Sequence, residues 1–251
     1  MPTNVPAMDP SRRRRILALI GCAAAAAATV PLYALAAADV SRAPDLRADP
    51  VVRIDPPAVY ADTEGGLGAN RLLVRFDGFV TNQGGGPLEI RGNPQVAQSA
   101  AAGVKQYALA AGQPAGAIPA EAVAPPEVAF EANDSHNHFH LKRAMRYSLW
   151  NLARTAEVAP GQKVGFCLYD LDPITANPAP QVYVEGVTQF CDSGHPESTD
   201  LRMGVSSGWR DVYAKTLAFQ WVDVSSTSPG TYLVASQADP DGVIWEGGGN
   251  G

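Results

Sequence analysis

Cysteine and histidine are scarce in this chain of 251 residues, with three of the first and four of the second. So few cysteines exclude a disulfide-dense scaffold. No long amphipathic helical period appears, which argues against a helical bundle. No internal repeat appears either, which argues against a solenoid or propeller. Positive charge is also short. The formal charge is −6, and outside residues 1–38 there are 15 basic and 24 acidic residues, a net of −9. That balance disfavours a polyanionic partner such as nucleic acid and suits a cationic substrate only weakly. Simple solubility explains the charge equally well.

What is present is an ordinary globular composition, 46% apolar and 18% charged, long enough for one sizeable domain or two small ones. No second domain is visible. The N-terminus is the clearest compositional feature. Arg12 to Arg15 form a basic start, Ile16 to Ala38 an apolar run, and Ala34-Leu35-Ala36-Ala37-Ala38 a small-residue end. This pattern predicts a secretory signal peptide over 1–38. The apolar run is also long enough to act as an uncleaved membrane anchor. Leu19-Ile20-Gly21-Cys22 reads as a lipobox with a short apolar lead, and Ser11-Arg12-Arg13 as a twin-arginine start. Each variant implies export. Alanine- and arginine-rich usage points to a bacterial source. If Cys22 leaves with the signal, Cys167 and Cys191 remain, and in an oxidising compartment they are expected to pair. Two buried free thiols are the alternative.

Strand signals dominate the rest. Pro44 to Pro50 is an extended, proline-bounded lead-in. Arg71 to Val80 alternates, with Leu72, Val74 and Phe76 on one face, and Thr81 to Gly86 is a turn before a strand from Pro87. Residues 92–126, rich in Ala, Gly, Pro and Gln, read as a long loop with a short alanine-rich helix. His136 to Trp150 keeps period two, and 164–168, 217–224 and 231–236 read as further strands. The expectation is an all-β, sandwich-like single domain with long loops and few short helices.

Three of the four histidines lie in Asp134-Ser135-His136-Asn137-His138-Phe139-His140. On a strand, His136, His138 and His140 share one face while Phe139 and Leu141 take the other. Three neutral nitrogen donors on one face suit Cu(II) or Zn(II), with positions open for water or substrate. A hydrogen-bonded polar strand face is the alternative. His195 has no evident role. Taken alone, Lys163 reads as a solvent-facing lysine and Tyr213 as a half-buried tyrosine, and nothing in their spacing links them.

These segments resemble, in the same order, the catalytic domain of the lysyl oxidase family. The resemblance runs from Pro44 to about Asn250. Pro44 to Pro50 looks like the family's opening, and Leu72 to Phe76 with Asn82-Gln83-Gly84 is similar to the strand and turn that follow. His136-Asn137-His138-Phe139-His140 matches the copper motif His-x-His-aromatic-His. Gly161 to Leu168 resembles the segment whose lysine enters the cofactor. Asp211-Val212-Tyr213, with Gln220-Trp221-Val222-Asp223, resembles the segment whose tyrosine does so.

The resemblance implies copper on His136, His138 and His140, and a lysine tyrosylquinone built from Lys163 and Tyr213. It implies oxidative deamination by dioxygen of a primary amine or peptidyl lysine to an aldehyde, releasing hydrogen peroxide and ammonia. Asp211, two residues before Tyr213, shares its face if that stretch is extended. It is therefore the candidate general base, with a turn aspartate as the plain alternative. Residues 44–251 would form the catalytic domain. The family continues into at least one more strand, so the chain is expected to be a fragment or to leave a sheet edge unpaired. Two departures stand out: one bridge replaces the animal enzymes' many cysteines, and Phe219 stands where they carry a cysteine. The loop between Cys167 and Cys191 is also built differently from the family's, which leaves active-site access and substrate choice open. A copper- or zinc-binding extracellular module without oxidase activity is the main competing expectation, and an adhesive β-sandwich the next.

Overall fold

Short runs of alternating residues, cut every few positions by Gly and Pro, can form only short strands. The computed structural model consists of them. It describes residues 40–60, 70–96, 103–108, 120–121, 126–132, 136–185 and 189–247. The signal or anchor segment lies outside these residues, as do the stretches expected to hold an alanine-rich helix and Asn133 to Ser135 of the histidine motif. Among the described residues no helix is long and apolar enough to cross a membrane.

The first strands are β1 (Leu46–Arg47), β2 (Ala58–Tyr60), β3 (Arg71–Arg75), β4 (Gly78–Asn82), β5 (Leu88–Gly92), β6 (Lys105–Ala108) and β7 (Ala120–Glu121). Next come β8 (Val128–Glu131), β9 (His138–Lys142), β10 (Met145–Asn151), β11 (Glu157–Pro160), β12 (Gly165–Phe166) and β13 (Asp172–Pro173). The last are β14 (Leu201–Val205), β15 (Trp209–Tyr213), β16 (Trp221–Asp223) and β17 (Tyr232–Ala238). The fold is all-β. Its strands make five small antiparallel sheets, in the orders β1-β4-β15-β13, β11-β10-β17, β12-β9-β8, β14-β5-β6-β7 and β16-β3-β2.

Several expected strands are broken, each for a visible reason. The run 71–80 splits at Phe76-Asp77 because the buried Asp77 carboxylate turns aside. It meets the Arg53 guanidinium and accepts from the Lys215 amide at 2.7 Å. His136 to Trp150 bends at Arg143, whose φ is 62°, so β9 and β10 join different sheets. Phe219, at φ 61°, shortens the run 217–224 to Trp221–Asp223. The run 164–168 keeps only Gly165–Phe166 as strand. The stretch read as one long loop from Gly92 contributes β6 and β7 to a sheet.

Sheets of three or four short strands are marginal alone, and here they share one core. An aromatic row runs through it: Phe76 packs edge-on to Tyr147 at 5.1 Å between ring centroids, Tyr147 lies 6.4 Å from Phe166, and Phe166 sits edge-on to Tyr213 at 4.9 Å. Gly78, opposite Tyr213 in the β4–β15 register, makes room for this row, since a Cβ there would fall 2.1 Å from the Tyr147 hydroxyl. Phe190, Cys191 and Asp192 all have left-handed φ, and the Cys167–Cys191 disulfide anchors that turn to the core with a Cα–Cα distance of 5.9 Å. Closing this 24-residue separation restricts the unfolded chain. Replacing both cysteines by serine is expected to lower unfolding stability by about 3 kcal/mol, read as a lower denaturant midpoint.

Candidate active site

The histidines are placed by β9 and the residues just before it. Strand alternation puts His138 and His140 on one face and Phe139 and Leu141 on the other, where Phe139 packs on Phe130 at 5.1 Å. His136 precedes the strand rather than lying on it, yet its ring joins the others. Centroids are 5.7 Å apart for His136–His138, 4.8 Å for His136–His140 and 4.6 Å for His138–His140. All three side chains are buried. Gly165 allows this closeness: a Cβ there would sit 2.9 Å from His140 Nδ1.

Lys163 is buried, not solvent-facing as its sequence context alone suggests. Gln162 donates its amide to Trp221 O at 3.1 Å, pinning the segment against β16. Lys163 Nζ lies 3.5 Å from His136 Nε2 and 5.4 Å from the centroid of the Tyr213 ring. Asp211 and Tyr213 alternate with less buried neighbours on β15, so both face inward. His136, Lys163, Asp211 and Tyr213 therefore meet in one buried space.

Electrostatics follow from that burial. Desolvation pushes the Asp211 carboxyl up to about 7, against opposing hydrogen bonds from Tyr213 and the Val212 and Tyr169 amides and the Lys163 charge. Burial, and then the neighbouring Asp211 charge, holds the Tyr213 phenol well above its usual range. Tyr213 donates its hydroxyl to Cys167 O at 2.8 Å. Burial also lowers His138 and His140 to about 3, reinforced at His138 by the other histidines and at both by Lys163. Both rings are neutral at physiological pH, with lone pairs for a metal.

Three imidazoles bound to one ion at 2.0–2.1 Å place their centroids about 4.5–5.5 Å apart. Two of the three observed spacings fall in this range, and His136–His138, at 5.7 Å, lies just beyond it. Among the described residues no three His, Cys, Asp or Glu side chains already gather their donors about a metal position. Two of the ring nitrogens are turned to other groups, His136 Nε2 to Lys163 and His140 Nδ1 to Glu131. By their chemistry and clustering the three histidines fit a metal ion, with Lys163 Nζ beside His136 Nε2.

Further side chains border the histidines, and of these Phe190 and Glu131 carried no sequence signal of their own. Phe219 stacks on His136 with centroids 5.6 Å apart and planes 8° apart, and half-exposed Phe190 lies edge-on to His138 at 5.1 Å. Glu131 reaches His140 from β8. His195 is remote in character: exposed, and paired with Glu197 at 3.2 Å.

The family model described as lysyl oxidase matches residues 120–247, which include all of these positions. Rat protein-lysine 6-oxidase is 26% identical over 125 residues, which cover 48% of this chain and 26% of that protein. The human protein-lysine 6-oxidase shows the same identity and coverages. Human lysyl oxidase homolog 1 is 26% identical over 125 residues, covering 48% of this chain and 19% of its own length. The matched stretch thus spans about a quarter of these relatives or less. With the family's pattern extending over half of it and through its buried His–Lys–Tyr cluster, the chain belongs to the lysyl oxidase family.

Proposed function

We propose that residues 44–251 form a copper-dependent amine oxidase domain that deaminates primary amines, peptidyl lysine or small amines, to aldehydes with release of hydrogen peroxide and ammonia. Dioxygen is the second substrate. The observation that carries the reading is the burial of the Lys163 amine beside the Tyr213 ring, 5.4 Å from its centroid. Lysine is rarely buried unless it has a partner, and this gap lies within reach of a flexible four-carbon stem. The cofactor would be a lysine tyrosylquinone joining Lys163 and Tyr213, and copper would be held by His136, His138 and His140. Copper with dioxygen supplies oxidation of the phenol, and the quinone supplies an electron sink for the amine.

The chain's own residues do the rest. Lys163, whose Nζ lies 3.5 Å from His136 Nε2 and 5.4 Å from the Tyr213 ring centroid, would supply the amine of the cofactor. Cys167 O and Asp211 hold the Tyr213 hydroxyl and so fix the ring. Asp211 is the proposed general base, with a carboxyl poised near neutrality for accepting a proton. The disulfide and the basic, then apolar N-terminus support maturation outside the cytoplasm, with the N-terminal segment either removed or kept as an anchor.

The deciding experiment is peptide mass mapping of copper-loaded, aerated protein. The expected result is one covalently linked species containing the peptides of Lys163 and Tyr213. If both peptides stay unlinked after full loading, the domain is a metal-binding module that does no amine chemistry.

A further inference from the structure

Glu131 is placed where a strand pair can serve a neighbour's side chain. It lies at the end of β8, directly opposite His138 of β9, while Ala129 stands opposite His140. Cross-strand geometry makes His140 the diagonal neighbour of Glu131, within reach of a long side chain. The reach is used: Glu131 Oε2 lies 2.6 Å from His140 Nδ1. Its other oxygen, Oε1, meets the Lys142 ammonium. His140 and Lys142 are two apart on β9 and share a face. One carboxylate therefore bridges two successive side chains of the strand that carries the histidines.

A carboxylate only accepts hydrogen bonds, so His140 Nδ1 must carry the hydrogen and a neutral ring then presents its lone pair at Nε2. We propose that Glu131 is the positioning residue of the metal centre: it fixes His140 as an Nε2 donor and sets its ring plane, while its other oxygen pairs with Lys142. The inference rests on the metal-binding reading given above. Outer partners of this kind orient a metal-bound imidazole and raise its basicity, and their loss typically weakens metal binding by 10–100-fold. The plain alternative is a cross-strand ion pair between Glu131 and Lys142 with no bearing on metal. An ion pair of that sort, with side chains 16% and 27% exposed, would act on stability and not on metal affinity.

The two roles separate in metal affinity. Zn(II) and Cu(II) are titrated alone into metal-free protein by chelator competition, and the Cu(II) form is examined by electron paramagnetic resonance. Glu131→Ala is expected to weaken both metals by about 10–100-fold and to shift the copper hyperfine pattern. Glu131→Gln, whose amide oxygen still accepts from Nδ1 but without charge, is expected to fall between, with an unchanged metal-free melting temperature. Lys142→Met removes the ion pair yet leaves the His140 contact, and its affinity is expected to stay within about threefold of the parent. If the parent binds metal and both Glu131 variants match it in affinity and spectrum, the positioning role is wrong and the metal reading survives. If the parent binds neither metal, both fall. Should Glu131→Ala fail to fold, the intermediate affinity and altered spectrum of Glu131→Gln decide the matter.

Discussion

Tyr213→Phe is expected to end amine oxidation while leaving the metal site intact. The substitution removes one oxygen from a buried ring that keeps its edge-on packing against Phe166. It deletes the hydroxyl bonded to Cys167 O, on the ring whose centroid lies 5.4 Å from the Lys163 amine. Without a ring that can be oxidised, no cofactor forms and the reaction returns to its uncatalysed rate, a loss of roughly 10⁶-fold or more. Lys163→Met should give the same loss by the complementary route, since it preserves an apolar stem and removes the amine. Peroxide release on addition of a primary amine measures activity, and copper stoichiometry measures the site. Loss of activity with retained copper is the expected pair of results. Appreciable peroxide release from either variant contradicts a cofactor built from these two residues.

Asp211→Asn is expected to lower the rate by about 10²–10⁴-fold, the usual contribution of a general base, and to change the pH profile in a diagnostic way. Burial raises the Asp211 carboxyl from 3.8 to about 7. A base acts only when deprotonated, so activity should rise with pH through about 7, and this limb should vanish in the asparagine variant. Stability should move the other way. The fold favours the protonated carboxyl, so Asp211's contribution is fully present below about 4 and is lost as pH climbs through about 7. Relative to the asparagine variant, the parent should therefore lose melting temperature across that window and level off above it. A variant that is slower yet more stable above pH 7 is the joint signature of a base kept in a desolvated position. An acidic limb that survives the substitution would assign the proton transfer elsewhere.

The sequence by itself determined the class of structure and the chemical types. Short alternating runs between Gly and Pro allow only an all-β fold, and three histidines within His136 to His140 put nitrogen donors side by side at any strand-like geometry. Cys167 and Cys191, expected to pair, are joined in a disulfide. These are local or combinatorial properties, fixed by side-chain period and by the number of available partners.

Position in space was decided elsewhere. The length of each strand depended on buried polar groups and left-handed corners, as at Asp77, Arg143 and Phe219, which periodicity does not register. Lys163 and Tyr213 stand fifty residues apart, and only the packing of the β12 sheet against β15 across Phe166 brings the amine over the ring. Their meeting was implied by family resemblance alone. Glu131, Phe190 and the Cys167 carbonyl gained their places the same way, through register between β8 and β9 and through a disulfide-held turn. Nor could composition state that Asp211 titrates near neutrality, because that follows from the loss of water around it and not from its being an aspartate. Residue types decide which chemistry is available; desolvation and long-range contact decide which residues carry it.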